Sequence, residues 1–142
     1  MMTKSNALIV TGPGSLQNGL LALMTAMPEI EVVGEADDPF SALQMVVEHR
    51  PDLVLLDMDL PGNEPCALLR QIKNDWPATR CIALAEDVPQ QREAEASGAD
   101  IALVKGFPPA QLIATIEGLL QVRERARDRQ AAEYGQEGGV LP

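Results

Sequence analysis

Five short apolar runs punctuate the chain: Ala7–Val10, Ile30–Val33, Leu53–Leu56, Cys81–Ala85 and Ile101–Val104. Each is too short for a helix and continuous rather than alternating, the pattern of a strand buried on both faces. Between them the apolar residues switch to helical spacing. Ser15 is placed to cap a helix carrying Leu16, Leu20, Leu21, Leu23, Met24 and Met27, which Pro28 stops. Asp38 followed by Pro39 reads as an N-cap with proline in the first turn, opening a second helix through Leu43, Val46 and Val47 to His49. Pro65 opens a third through Leu68, Leu69 and Ile72, and Pro89 a short polar fourth. Pro108 and Pro109 precede a fifth with Leu112, Ile113, Ile116, Leu119 and Leu120.

Strands alternating with helices across short connections predict a parallel sheet with helices on both faces, a three-layer α/β/α sandwich, because right-handed crossovers distribute helices to each side. In such sheets ligand chemistry collects at the carboxyl ends of the strands. The positions to inspect are therefore Thr11–Ser15, Ala36–Asp38, Asp57–Gly62, Ala85–Asp87 and Lys105–Phe107. Residues 1–121 are expected to form the domain. Residues 122–142 are expected to extend the fifth helix to about Tyr134 and to end in a frayed Gly-Gly-Val-Leu-Pro tail.

Composition narrows the function classes. The 142 residues carry 11 Lys+Arg against 21 Asp+Glu, a net charge of −10, so the surface repels polyanions, and direct binding of nucleic acid or an anionic membrane is disfavoured. All of that charge lies in residues 1–122, which hold 17 of the acids. Only two Phe, one Trp and one Tyr are present, too few for stacking platforms that grip bases or flavins. No apolar run approaches a membrane span and the N-terminus lacks a signal-peptide pattern, so a cytoplasmic location is expected. Cys66 and Cys81, with the single His49, match neither a zinc-site spacing nor a disulfide framework and are expected to be buried free thiols.

Asp57 directly follows Leu53-Val54-Leu55-Leu56 and precedes Met58-Asp59-Leu60-Pro61-Gly62, a carboxylate at a strand tip before a turn. Capping the turn would account for it alone. Lys105, closing the fifth strand at the same sheet edge, adds the minimum for accepting a phosphoryl group: a carboxylate oxygen to attack and an ammonium to neutralise the transferred charge. The run Pro51–Gly62, with Glu31-Val32-Val33-Gly34-Glu35-Ala36 before it and Ser97-Gly98-Ala99-Asp100 through Lys105 after it, resembles the receiver domains of bacterial response regulators. The NarL/LuxR-type receivers are the most similar.

The resemblance spans residues 6 to about 121. It implies a CheY-like (flavodoxin-like) fold with five parallel strands in the order 2-1-3-4-5. It also implies a phospho-acceptor position at Asp57, the family's lysine at Lys105, Mg²⁺ ligation by Asp57 and the backbone carbonyl of Asp59, and a sensor histidine kinase as phosphate donor. A phosphorelay signalling role without enzyme activity of its own follows.

The departures from the family pattern define the finer expectation. Where receivers place an acidic pair after the first strand, this chain has Thr11 and Gly12, which give a hard cation a hydroxyl and bare backbone. Ala85 replaces the Ser or Thr that bonds the phosphoryl oxygen, and Ala102 replaces the aromatic switch residue. Gly106 stands where proline often follows the lysine. An atypical receiver with weakened Mg²⁺ binding and weakened phosphorylation, acting through protein–protein interaction, is the expectation, and a conventional phospho-accepting receiver is the alternative.

Two remoter readings use the same residues. Asp57-x-Asp59 is similar to the nucleophile motif of haloacid-dehalogenase-type (HAD-like) phosphatases, which belongs on the first core strand rather than the third. Thr11-Gly12-Pro13-Gly14-Ser15 has the look of a phosphate-cradling turn, but Pro13 removes a donor and no P-loop lysine follows. His49 suits a helix C-terminus, the six methionines read as packing, and Arg123–Arg129 alternates in sign like a solvated helix face. A homodimer would pair the extended helix through Leu119, Val122 and Ala126.

Overall fold

The computed structural model describes residues 4–60 and 65–121. The elements run β1 (Ser5–Val10), α1 (Ser15–Thr25), β2 (Ile30–Ala36), α2 (Pro39–His49), β3 (Leu53–Asp57), α3 (Pro65–Asp75), β4 (Arg80–Ala85), α4 (Val88–Ala96) and β5 (Ile101–Val104). A further helix, α5, covers 109–121. All strand pairs are parallel and the order is β2-β1-β3-β4-β5, the order that the family resemblance implies. The chain divides into two compact units, one ending at Phe107 and one beginning at Pro108. In the first, Leu8, Val10, Val54, Leu56, Cys81 and Ala83 face Ala42 and Val46 of α2, Leu68, Leu69 and Ile72 of α3, and Ala94 of α4. The alternate residues Ile9, Leu53, Leu55, Ile82 and Leu84 are fully buried as well, which explains why these runs carry no polar alternation. In the second unit Leu112, Ile116 and Leu120 are the buried positions of α5, at the spacing of one helical face.

Several local expectations change. Ser15 does not cap α1: Gly14 is the N-cap, at φ 140°, with no side-chain cap bond, and Ser15 becomes the first helical residue. That backbone conformation suits glycine and strains other residues. The helix ends at Thr25, ahead of Pro28, and buries only Leu20 and Met24. β2 runs on to Ala36 and is half exposed through Val32–Gly34, because it is an edge strand rather than one covered on both faces. Asp38 caps α2 as expected, accepting from the Ser41 backbone N–H at 2.8 Å. Asp87 caps α4 in the same way, so Val88 rather than Pro89 opens that helix. Cys81 is buried, and burial pushes its thiol up to about 12, but Cys66 is only half-buried. The expected turn residues Pro61 and Gly62, the extension 122–142 and the pairing positions Val122 and Ala126 lie outside the described residues.

The amino end of the β4–β5 pair is held by one carboxylate. Asp100 accepts from the Cys81 backbone N–H at 2.7 Å and from Lys73 Nζ at 2.9 Å, with Arg80 at 3.4 Å. Asp100→Ala is expected to cost roughly 1.5–3 kcal/mol in urea unfolding, since it leaves a charged and a backbone donor without their acceptor. Asp100→Asn, which still offers a carbonyl to Cys81, is expected to cost less. Equal costs for the two would show that the charge on Asp100 is what matters.

Candidate functional site

The parallel register carries the chemistry-bearing residues to one edge. Val10 of β1 pairs with Leu56 of β3, so Thr11 and Asp57 are the next residues at the same level. Ala85 of β4 pairs with Val104 of β5, which brings Glu86 and Lys105 level in turn. Lys105 reaches back across the intervening strand, as its four-carbon stem allows. Its Nζ lies 2.8 Å from Asp57 Oδ1 and 2.5 Å from Glu86 Oε1. Asp57 is 8% exposed and its Oδ1 also accepts the backbone N–H of Asp59 at 2.9 Å, the Asx-turn role foreseen for it. The flanking backbone is pinned: Met58 N–H donates to Leu84 O at 2.9 Å and Lys105 N–H to Ala85 O at 2.8 Å.

Partial burial works against the charge on Lys105, but the hydrogen bonds and charges of Asp57 and Glu86 outweigh it and hold the ammonium above its ordinary value. A lysine raised in this way contributes stability that is fully present below its unfolded value of 10.5 and is lost as pH rises through its higher folded value. The pair is therefore intact at neutral pH. Removing Lys105 leaves Asp57 buried without its cation, whereas removing Asp57 leaves Lys105 with Glu86 alone.

The remaining positions are less well equipped. Thr11 is fully buried, its N–H spent on Ala36 O at 3.0 Å and its hydroxyl on Gly12 O at 3.0 Å. The Thr11–Ser15 turn thus has two donors already engaged and makes a poor phosphate cradle. Ala85 is fully buried and has no side-chain donor; Ala102 is buried, and its carbonyl accepts Gln91 Nε2 at 2.7 Å. Asp59 is exposed. Among the described residues no group of three or more His, Cys, Asp or Glu side chains gathers in a metal-binding arrangement. Among the described residues, the carboxylates at this corner, Asp57 and Glu86, are both already paired with Lys105, and Thr11 and Gly12 add no further one.

Two residues without an expected role complete the corner. Glu86 is the second anion on Lys105. Gln90 accepts the Glu86 backbone N–H at 2.6 Å and donates to Met58 O at 3.3 Å, bridging the loops after β3 and β4. The position of Glu86 just past a strand marked it as one to inspect, but its partner depends on the β4–β5 register, which the sequence does not display.

The family model for the response regulator receiver domain matches residues 8–117. The chain belongs to this family. Among curated relatives, a receiver-containing match is the DNA-binding transcriptional activator DevR/DosR of Mycobacterium tuberculosis, 30% identical over 119 residues, covering 82% of this chain and 55% of the relative. A protein-glutamate methylesterase/protein-glutamine glutaminase of Rhodopseudomonas palustris is 34% identical over 86 residues, covering 59% of this chain and 24% of that protein. The structure of a LuxR-family two-component response regulator from Aurantimonas is 27% identical with a TM-score of 0.77, covering 85% of this chain and 88% of that one. The chain spans from about a quarter to about half the length of these two curated relatives. As a receiver domain it is a module of two-component signalling, and members of this family typically hold Mg²⁺ at the phosphorylation site. Among the described residues no helix is long and apolar enough to cross a membrane.

Proposed function

We propose that this receiver domain is atypical: Asp57 occupies the acceptor position and Lys105 the family's lysine position, but Mg²⁺-dependent phosphorylation is weakened and signalling proceeds by binding a protein partner. The observation that supports this most directly is the retained Asp57–Lys105 pair at 2.8 Å beside Thr11 and Gly12, where a metal needs carboxylates. In-line phosphoryl transfer without its metal loses a charge-neutralising effect worth several kcal/mol of barrier. The partner is a sensor histidine kinase or another signalling protein. Residues 1–121 are the receiver, and the catalytic and DNA-binding activities named for the relatives are not carried over with it.

The test is amide NMR of the chain during addition of Mg²⁺ and then beryllofluoride, a phosphoryl mimic. At millimolar Mg²⁺ the resonances around Asp57 and Lys105 are expected to stay unsaturated and the mimic to leave them unchanged. Saturable shifts in both steps, abolished by Asp57→Ala, would establish the conventional phospho-accepting receiver instead.

A further inference from the structure

We propose that Glu86 is a positioning residue of this corner, a built-in anion that holds the part of the Lys105 ammonium an incoming phosphoryl group would have to claim. The inference rests on the reading of Asp57 as the acceptor position. An ammonium has three donors, and here two face carboxylate oxygens, Asp57 Oδ1 at 2.8 Å and Glu86 Oε1 at 2.5 Å. Glu86 is not a loosely placed surface acid. Its backbone N–H is fixed by Gln90 Oε1 at 2.6 Å, and Gln90 Nε2 reaches Met58 O at 3.3 Å. Asp57 and Glu86 are thus connected twice, through the Lys105 ammonium and through the Gln90 amide to the residue beside Asp57.

Charge makes the consequence definite. Two carboxylates and one ammonium leave this corner net negative, so an anionic group arriving at Asp57 meets like charge and finds its cation engaged. Ala85 provides no side-chain donor as a substitute. Phosphoryl binding therefore competes with Glu86 for the charge of Lys105. Because the Glu86 side chain is 48% exposed, solvent screens the pair, and the penalty on anion binding is expected to be about threefold to tenfold rather than absolute.

Glu86→Gln removes the charge while keeping the shape. In the full chain carrying Thr11→Asp and Gly12→Asp, titrated with beryllofluoride in Mg²⁺, adding Glu86→Gln is expected to tighten binding of the mimic about threefold to tenfold. Equal binding with and without Glu86→Gln overturns the role of Glu86 and leaves the reading of Asp57 standing. Binding in neither chain overturns both. A second measurement needs no metal site and serves if that background fails to fold: a double-mutant cycle in the native chain between Glu86→Gln and Lys105→Met, read by urea unfolding. A non-zero coupling is expected from the 2.5 Å contact, and strictly additive effects overturn the proposal.

Discussion

The double substitution Thr11→Asp, Gly12→Asp is expected to raise Mg²⁺ affinity by on the order of a hundredfold or more. Even outer-sphere partners of a metal site are worth about 10–100-fold, and these would be direct ligands. The two positions have opposite costs. Gly12 has open space where a Cβ would go and no positive φ, so an acid is accommodated there. Thr11 is fully buried, so an acid in its place loses hydration and, without metal, destabilises the fold. The variant should therefore unfold more easily than the native chain in chelator and regain stability with Mg²⁺, by about 2.7 kcal/mol at a hundred times the dissociation constant. Thermal unfolding with and without Mg²⁺ reads this directly. A melting temperature indifferent to Mg²⁺ would show that Thr11, Gly12 and Asp57 do not converge on one cation.

The largest stability loss is expected from Leu56→Ala, roughly 2–5 kcal/mol. Leu56 is fully buried on β3, the middle strand of the sheet, within the cluster shared with α2, α3 and α4. The cavity cannot collapse easily, because β1 and β4 hold β3 on both sides. For a domain near a hundred residues each kcal/mol is worth about 4–8 °C, so the melting temperature should fall by roughly ten degrees or more. Val47→Ala on the outer face of α2, where the valine is 54% exposed, is the matched control and should stay within about 0.5 kcal/mol. Comparable losses for the two would mean that β3 is not the centre of the packing.

The elements differ in how openly the sequence announces them. β3 and β4 are unbroken apolar runs because both their faces are covered, and their limits fall within a residue of the structure. β2 is visible only as far as Val33, yet continues through Gly34 and Glu35, which pair with Leu8 and Ile9. Ladder hydrogen bonds involve backbone alone, so at an open edge they tolerate residues that hydropathy marks as loop. The start of α1 departs from the side-chain pattern for a related reason. Ser15 is the better capping side chain, but the turn needs a backbone angle that Gly14 supplies, and the helix begins one residue earlier than a Ser15 cap would place it.

The candidate site divides along the same line. Asp57 and Lys105 stand out in the sequence because each directly follows an apolar strand. Thr11, Gly12, Ala85 and Ala102 stand out as departures from the family pattern. Gln90 does not, and Glu86, although it too follows a strand, reads as an ordinary exposed acid before the capping Asp87 until the register of β4 and β5 is known.

By itself, then, the sequence determined the sheet, its parallel sense, and the two residues, Asp57 and Lys105, that meet at its edge, because strand burial and the residue after each strand are local properties written in hydropathy. Only the tertiary structure decided what Lys105 touches. An ammonium on a long flexible stem can reach several carboxylates, and which ones it reaches depends on three strands meeting at one edge, at separations of a few ångströms that no linear pattern encodes.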